Sequence, residues 1–204
     1  MIAALTLSGL SVMRGERLLF RDLSVSIRAG EAVALTGANG AGKTSLLRAV
    51  AGFIRPKSGT IGFEGPEGVL DAEVARGRGI HLLGHLDGLK GGRTAREELT
   101  FQAGWLGGGD TRPAVAALGL EPLLDLEVRK LSAGQRRRLA LARMIAAPRS
   151  LWLLDEPLSP LDARWREAVG AMMQNHLDGG GLILAAIHDP LPFPARSLDL
   201  GGGR

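Results

Sequence analysis

The segment EAVALTGANGAGKTSLLRAVAG, residues 31–52, determines the fold that we predict for this chain. Its β-rich run from Ala32 to Thr36 predicts a strand, and its last residues have the apolar spacing of a helix. Between them stands the pattern Gly37, any four residues, Gly42, Lys43 and Thr44. This is the spacing of a phosphate-binding loop, or P-loop, in its expected strand–turn–helix setting. We therefore predict an α/β fold of the P-loop NTPase type.

The P-loop predicts binding of a nucleoside triphosphate. Its glycines let backbone N–H groups wrap a phosphate, while Lys43 reaches the β and γ oxygens and Thr44 offers its hydroxyl to Mg²⁺. The alternative is a glycine-rich turn with an incidental lysine. The predicted nucleotide-binding residues of the loop are Gly37, Ala38, Asn39, Gly40, Ala41, Gly42, Lys43, Thr44 and Ser45.

A P-loop needs a second strand that carries a carboxylate, and LWLLDEP, residues 151–157, supplies one. Four apolar residues suit a central parallel strand, and two acidic residues follow where the strand emerges. We predict that Asp155 holds Mg²⁺ through water and that Glu156 polarises the attacking water as general base. The alternative is an acidic pair that only closes a buried strand.

A further buried-strand pattern, GLILAAI, ends at His188. A neutral imidazole at this position can donate a hydrogen bond to the γ-phosphate, so we predict a catalytic role for His188 rather than a purely structural one. His81 and His176 have no such setting, and we predict that both are structural. In the turn after Pro157, Asp162 is placed to cap the next helix.

The segment LSAGQRRRLALAR, residues 131–143, predicts a second phosphate site. Ser132 can cap the helix that follows, whose N–H groups then point outward, and Gly134 removes a side chain that would keep a phosphate at a distance. Because the P-loop already wraps one side of the nucleotide, we predict that Ser132, Gly134 and Gln135 serve the nucleotide of another subunit.

The composition excludes several other classes of function. The 204 residues include no cysteine, which removes disulfides and thiolate metal sites from consideration. The formal charge of +4 comes from scattered arginines without aromatic platforms, so we expect no nucleic-acid partner. We expect Arg136, Arg137 and Arg138 to form a solvated or interface face.

The sequence contains no signal-peptide pattern at its start and no run of apolar residues that could cross a membrane, so we expect a cytoplasmic protein.

In their order and spacing, GANGAGKT, LSAGQ, LWLLDEP, SPLD and His188 resemble the ATP-binding-cassette (ABC) ATPases, and the resemblance covers nearly the whole chain. It implies ATP and Mg²⁺ as ligands and a homodimer that closes head to tail around two ATP molecules. It also implies a single ABC domain with three parts, which are an antiparallel β lobe (about 1–30 and 58–66), a RecA-like core (about 31–57, 67–85 and 146–204) and a helical lobe (about 86–145). Thr94 and Glu97 form a capping box that suits the helical lobe.

The chain departs from the family pattern at three places. The aromatic residue that stacks on adenine near position 13 is missing, and Arg14 is the nearest group with a planar face. The loop that usually carries a glutamine reads LLGHLDGLKGG, with His85 at the place of the glutamine. We therefore predict that His85 takes over the contact of that glutamine with the metal or the attacking water. Ala133 replaces the first glycine of the signature motif.

The histidine loop and the short chain look like the ATPases of cytochrome c maturation, which are also called haem exporter ATP-binding proteins. This resemblance implies a peripheral subunit on the cytoplasmic face of a bacterial inner membrane, paired with integral membrane subunits. Its ATP hydrolysis would drive haem export or release of a haem-loaded chaperone. One alternative is the ATPase of an ABC transporter for a lipid, metal or drug. Another is a soluble ABC protein that acts on nucleic acid or ribosomes.

Overall fold

The structure, a computed structural model, describes residues 1–201. Two short 3₁₀ turns, Glu121–Leu123 and Val128–Lys130, join helices of the second half. The strands and helices are, in chain order, β1 (Ala4–Arg14), β2 (Arg17–Arg28), β3 (Ala32–Thr36), α1 (Lys43–Val50), β4 (Ser58–Gly65), β5 (Gly68–Leu70), α2 (Ala72–Gly79), β6 (Ile80–Leu83), α3 (Ala95–Trp105), α4 (Arg112–Ala117), α5 (Ala133–Ala146), β7 (Leu151–Asp155), α6 (Ala163–Asp178), β8 (Leu182–Ala186) and β9 (Arg196–Asp199).

A five-stranded sheet with the order β6-β7-β8-β3-β9 carries the P-loop. Strand β3 pairs in parallel with both β8 and β9, and β8 pairs in parallel with β7. Every residue of β7 and β8 is buried, as expected for central strands covered on both faces. Because parallel strands end at the same edge, the segments after β3, β7 and β8 meet there. The predicted α/β fold of the P-loop type is confirmed.

The second sheet is antiparallel, with the order β2-β1-β4-β5. Buried and half-buried residues alternate over the first four residues of β1, and register shifts interrupt its pairing with both neighbours further along. Gly59 lies at one such irregularity: its φ is +84°, and a Cβ there would stand 2.4 Å from the carbonyl oxygen of Gly9. A side chain at position 59 would therefore push β1 and β4 apart.

One hydrophobic core joins the two sheets through α1. It includes Leu5 and Phe63 of the antiparallel sheet, Leu46 of α1, and Leu153 and Leu184 of the parallel sheet. Both sheets belong to one compact unit, which consists of Met1–Leu82, Arg149–Glu156 and the chain from Met173 onward. The division into three lobes stays a prediction, and its last residues, 202–204, lie outside the described part of the chain.

A second compact unit consists of Leu83–Pro148 and Pro157–Met172, and α5 is its central helix, packed against α3 and α4. Two of the predicted caps are found at α3 and α5. Thr94 and Glu97 form a capping box at α3. Ser132 accepts a hydrogen bond from the Gln135 N–H at 3.2 Å, and the Gln135 side chain accepts one from the Ser132 N–H at 2.8 Å. Within residues 1–201, no helix combines the length and apolar character needed to cross a membrane.

The prediction of a solvated or interface arginine face on α5 is wrong for two of its three residues, which are buried within their own chain. Arg137 is only 3% exposed and Arg138 only 7%. The Arg138 guanidinium lies 3.9 Å from the centre of the Trp165 ring and donates to the carbonyls of Leu118 and Gly119. Those carbonyls follow the end of α4 and have no partner within that helix. Arg138 is buried because it satisfies them.

Candidate active site

The P-loop runs from the end of β3 to the start of α1 and has the geometry of a phosphate cradle. Gly37, Gly40 and Gly42 all have positive φ, at 122°, 82° and 106°, a conformation that side chains rarely adopt. The buried Lys43 ammonium donates to the Gly37 carbonyl at 2.6 Å and to the Ala38 carbonyl at 3.4 Å. These bonds hold the cation inside the loop that surrounds it, where it adds to the positive field of the α1 N-terminus.

The two residues predicted to serve Mg²⁺ are in direct contact. Thr44, in the first turn of α1, donates its hydroxyl proton to Oδ2 of Asp155 at 2.8 Å. Asp155 ends β7 and is 5% exposed. Within residues 1–201, no group of three or more His, Asp or Glu side chains could hold a metal by itself. A hydroxyl beside one carboxylate fits Mg²⁺, which takes few protein ligands and completes its shell with phosphate oxygens and water.

Glu156 follows Asp155 directly. Its φ is 50°, a backbone conformation that is rare for residues other than glycine. Its N–H donates to the Ala186 carbonyl of β8 at 2.9 Å, and this bond holds the strained residue in place. Its Oε1 is buried without a hydrogen-bond partner and lies 3.4 Å from Nε2 of His188. The structure therefore brings Glu156 and His188 together at the same edge of the parallel sheet as Thr44 and Asp155.

Burial raises the pKa of the Glu156 carboxyl above its ordinary value of 4.5. The positive charge of His188 and a hydrogen bond from the His188 backbone act against this shift and favour the ionised form. The pKa of the Glu156 carboxyl therefore lies closer to neutral pH than that of a solvent-exposed glutamate. That is the property expected of a group that accepts a proton near neutral pH.

A cleft of about 630 Å³ opens beside the P-loop. Arg14, predicted to lie against adenine, is not among its lining residues: it is exposed at the tip of the hairpin that β1 and β2 form. Sequence reasoning missed the two arginines that do line the cleft, Arg17 and Arg21 of β2. The lining residues are Arg17, Leu18, Leu19, Phe20, Arg21, Asp22, Ala38, Asn39, Gly40, Ala41, Leu200 and Gly201.

The residues predicted to serve the nucleotide of another subunit lie in the second compact unit. Ser132 is exposed at the start of α5, while the Gln135 side chain is engaged in capping that helix. Gly134 has a reason to be glycine within its own chain, because a Cβ there would stand 2.9 Å from the Pro160 carbonyl oxygen. His85 lies in the same unit, exposed in the loop after β6.

The two histidines predicted to be structural are confirmed as such by their burial. His81, in β6, is 2% exposed. The His176 ring stacks on Trp152 with ring centres 3.8 Å apart, and burial lowers its pKa. Gly181 leaves room for this stack, because a Cβ there would stand 2.2 Å from the His176 ring. The predicted cap is also confirmed, since the Asp162 carboxylate accepts a bond from the Trp165 N–H at 3.0 Å.

A P-loop after one strand of a parallel sheet, with an acid pair at the end of the strand next but one, defines a P-loop NTPase. The family model described as ABC transporter matches residues 20–159. The chain belongs to the ABC transporter family, and it is an ATPase subunit that binds ATP.

Curated relatives match over almost the whole length. The cytochrome c biogenesis ATP-binding export protein CcmA of Nitrobacter winogradskyi is 48% identical over 197 residues, which cover 96% of each chain. The protein of the same name from Rhodopseudomonas palustris strain BisB5 is 49% identical and covers 95% of this chain and 96% of its own. A third, from Maricaulis maris, is 43% identical over 204 residues, with 98% of this chain and 93% of the relative covered.

Two solved structures share the fold. An ABC transporter ATP-binding protein from Pyrococcus furiosus superposes with a TM-score of 0.83 at 22% identity, covering 97% of this chain and 98% of the other. The dimeric structure of MJ0796, a bacterial ABC transporter cassette, gives a TM-score of 0.79 at 22% identity and covers 97% and 95%. At this identity the likeness concerns the fold alone.

Proposed function

We propose that this chain is the ATP-hydrolysing subunit of a membrane ABC complex for c-type cytochrome biogenesis. Its ATP hydrolysis drives haem export or release of a haem-loaded chaperone. The observation that carries the proposal is the 48% identity, over 96% of both chains, to a relative named for ATP-binding export in cytochrome c biogenesis. Motor motifs alone do not distinguish one cargo from another, so the proposal depends on this similarity along the whole chain.

In the mechanism that we propose, Lys43 and the P-loop amides hold the β- and γ-phosphates. Thr44 and Asp155 would hold Mg²⁺, which supplies electrostatic stabilisation of the phosphate oxygens when bound. The Glu156 carboxylate accepts the proton of the attacking water at its buried Oε1. His188, whose Nε2 lies 3.4 Å from that oxygen, donates to the γ-phosphate and keeps the carboxylate oriented.

The acid side of the pH profile tests this role of Glu156. Burial favours the neutral carboxyl and raises its pKa above 4.5, and a base must be ionised to act, so hydrolysis falls as pH drops through that raised pKa. In His188→Asn the lowering effect of the imidazolium is lost, so the acid limb of kcat moves to higher pH than in the wild-type protein. The ionisation of ATP is common to both proteins, so it does not contribute to the difference between them. An unmoved limb would contradict the pairing.

We further propose that two chains form a homodimer around two ATP molecules, with Ser132 of each completing the site of the other. The complex sits on the cytoplasmic face of the bacterial inner membrane, where integral subunits of the cytochrome c maturation system bind it. A nucleic-acid partner is not proposed. Of the three adjacent arginines that could have favoured one, Arg137 and Arg138 are buried within the chain.

Cytochrome assembly in cells tests the cargo, and His85 tests the coupling. In cells that lack the gene, the wild-type chain should restore mature c-type cytochromes, measured by covalent haem staining. His85→Ala should restore much less, while ATP affinity of the purified protein stays near wild type. His85→Gln, the control, should recover part of the loss, because a neutral amide keeps one donor and one acceptor.

Two outcomes would overturn these assignments separately. Normal cytochrome levels with His85→Ala would exclude a coupling role for this histidine. Normal levels in the complete deletion would exclude the haem-linked function itself. In that case the same ATPase motifs would be those of an ABC transporter for a lipid, metal or drug.

A further inference from the structure

The loop that carries His85, residues Gly84 to Lys90, is anchored to the side of α5. The Arg137 guanidinium donates to the Gly84 carbonyl at 3.0 Å, and its Nη1 lies 3.1 Å from the Asp87 carboxylate. One side chain thus holds the loop on both sides of His85. Leu86, also between these two anchors, is 84% exposed, so apolar packing of its side chain does not fix the loop.

The ion pair is sheltered from solvent. The side chain of Arg137 is 3% exposed and that of Asp87 is 18% exposed. Burial raises the pKa of Asp87, and the charges of Arg137, Arg136, Arg143 and His85 oppose this shift, with Arg137 first among them. A buried carboxylate is costly without a matched cation. The pair therefore fixes where the loop can lie on the helix.

A second anchor lies further along α5. Arg143 donates to the Gln102 side chain at 3.3 Å, and Gln102 in turn donates to the Gly88 carbonyl at 3.2 Å. Gln102 is itself held by the buried Glu98, to which it donates at 2.6 Å. Because Arg137 and Arg143 are six residues apart, the two anchors lie about 9 Å apart along the helix axis. The loop is attached along α5 rather than at one point.

We propose that Arg137 and Asp87 are positioning residues that fasten the His85 loop to the helix that begins at Ser132. The inference rests on the proposed roles of Ser132 and His85. Arg137 lies less than two turns from Ser132 on one rigid helix. When phosphate binds at the start of α5, any shift of the helix is therefore carried to His85 through this pair. The coupling depends on the hydrogen bond from Arg137 to the Gly84 carbonyl and not only on the charge balance with Asp87.

The test separates positioning from folding by comparing single and double variants. Arg137→Met and Asp87→Leu each remove one partner of a sheltered pair, so both lower the unfolding temperature. The double variant Arg137→Met/Asp87→Leu replaces the pair by apolar side chains and should recover most of that stability. It should not recover the loop contact, since neither new side chain can bond to the Gly84 carbonyl.

Two readouts report positioning. In the double variant we expect kcat for ATP to fall about two- to thirty-fold, the size of effect expected when a coupling network is broken, with KM within about twofold. We also expect faster hydrogen exchange at the amides of residues 84–88. The control is Arg96→Gln, which breaks the exposed pair between Arg96 and Asp125 in the same unit and should change neither readout.

Recovery of stability together with wild-type kcat and loop exchange in the double variant would overturn the proposal and leave a structural ion pair. So would single variants that are destabilised but turn over ATP at the wild-type rate. Both measurements use purified protein and ATP. Failure of the cytochrome assignment would appear instead in the cell assay, where the gene deletion alone decides it.

Discussion

Glu156→Gln should keep ATP binding and lose hydrolysis by about 100-fold or more, the scale expected when a positioned general base is removed. The amide has the size of the carboxylate but cannot accept the proton of the attacking water at neutral pH. The backbone strain at this position, with a φ of 50°, is held by the bond to Ala186 and does not depend on the charge. The loss is therefore expected in kcat and not in the affinity for ATP.

The measurement is steady-state phosphate release beside equilibrium binding of a fluorescent ATP analogue. Lys43→Ala should behave differently from Glu156→Gln, because without the buried ammonium the P-loop should lose ATP binding and hydrolysis together. Glu67→Gln, at an exposed glutamate between β4 and β5, is the matched control for the substitution itself and should behave as wild type. Wild-type turnover in Glu156→Gln would remove this residue from the mechanism.

The sequence predicts those parts of the site in which the positions of the functional residues depend on their spacing along a short segment of the chain. A P-loop is one continuous strand, turn and helix, and the glycine pattern around Lys43 specifies its conformation. Asp155 and Glu156 could be placed because a buried parallel strand must end at the edge where the P-loop lies. Neither inference needs a contact between distant parts of the chain, and both agree with the geometry in the structure.

The residues that sequence reasoning missed or misjudged all depend on distant partners. Arg138 was expected on a solvated or interface face, but it binds the carbonyls that follow α4, whose position relative to α5 no local pattern reveals. Gly134 was explained by a phosphate alone, although the Pro160 carbonyl also requires its small size. Arg17 and Arg21 were missed because their place along the cleft depends on how the hairpin lies beside the P-loop, while the role of Arg14 stays a prediction. In each case the partner lies in another element of the fold.

Ser132→Asp should lower the rate of hydrolysis about 100-fold or more by charge repulsion, while each chain still binds ATP at its own P-loop. Aspartate caps a helix as well as serine does and is favoured by the helix dipole, so α5 should fold normally. Its carboxylate would, however, face the phosphates of the neighbouring subunit, and like charges at contact distance repel strongly. Ser132→Asn is the control, because it keeps the cap and a similar size without the charge. Gly134 is a poorer position for the test, because any side chain there would meet Pro160 of the same chain.

Mixing two inactive variants decides whether the site is shared. In a head-to-tail dimer, a chain with Ser132→Asp keeps an intact P-loop, and a chain with Lys43→Ala keeps an intact signature helix. Their heterodimer therefore contains one complete site out of two. Because half of the dimers in an equal mixture are heterodimers, independent sites should restore about one quarter of the wild-type rate. If each chain used its own Ser132, no mixture could recover activity. A mixture that stays inactive, although Ser132→Asp binds ATP and both chains are shown to dimerise, would contradict the shared site.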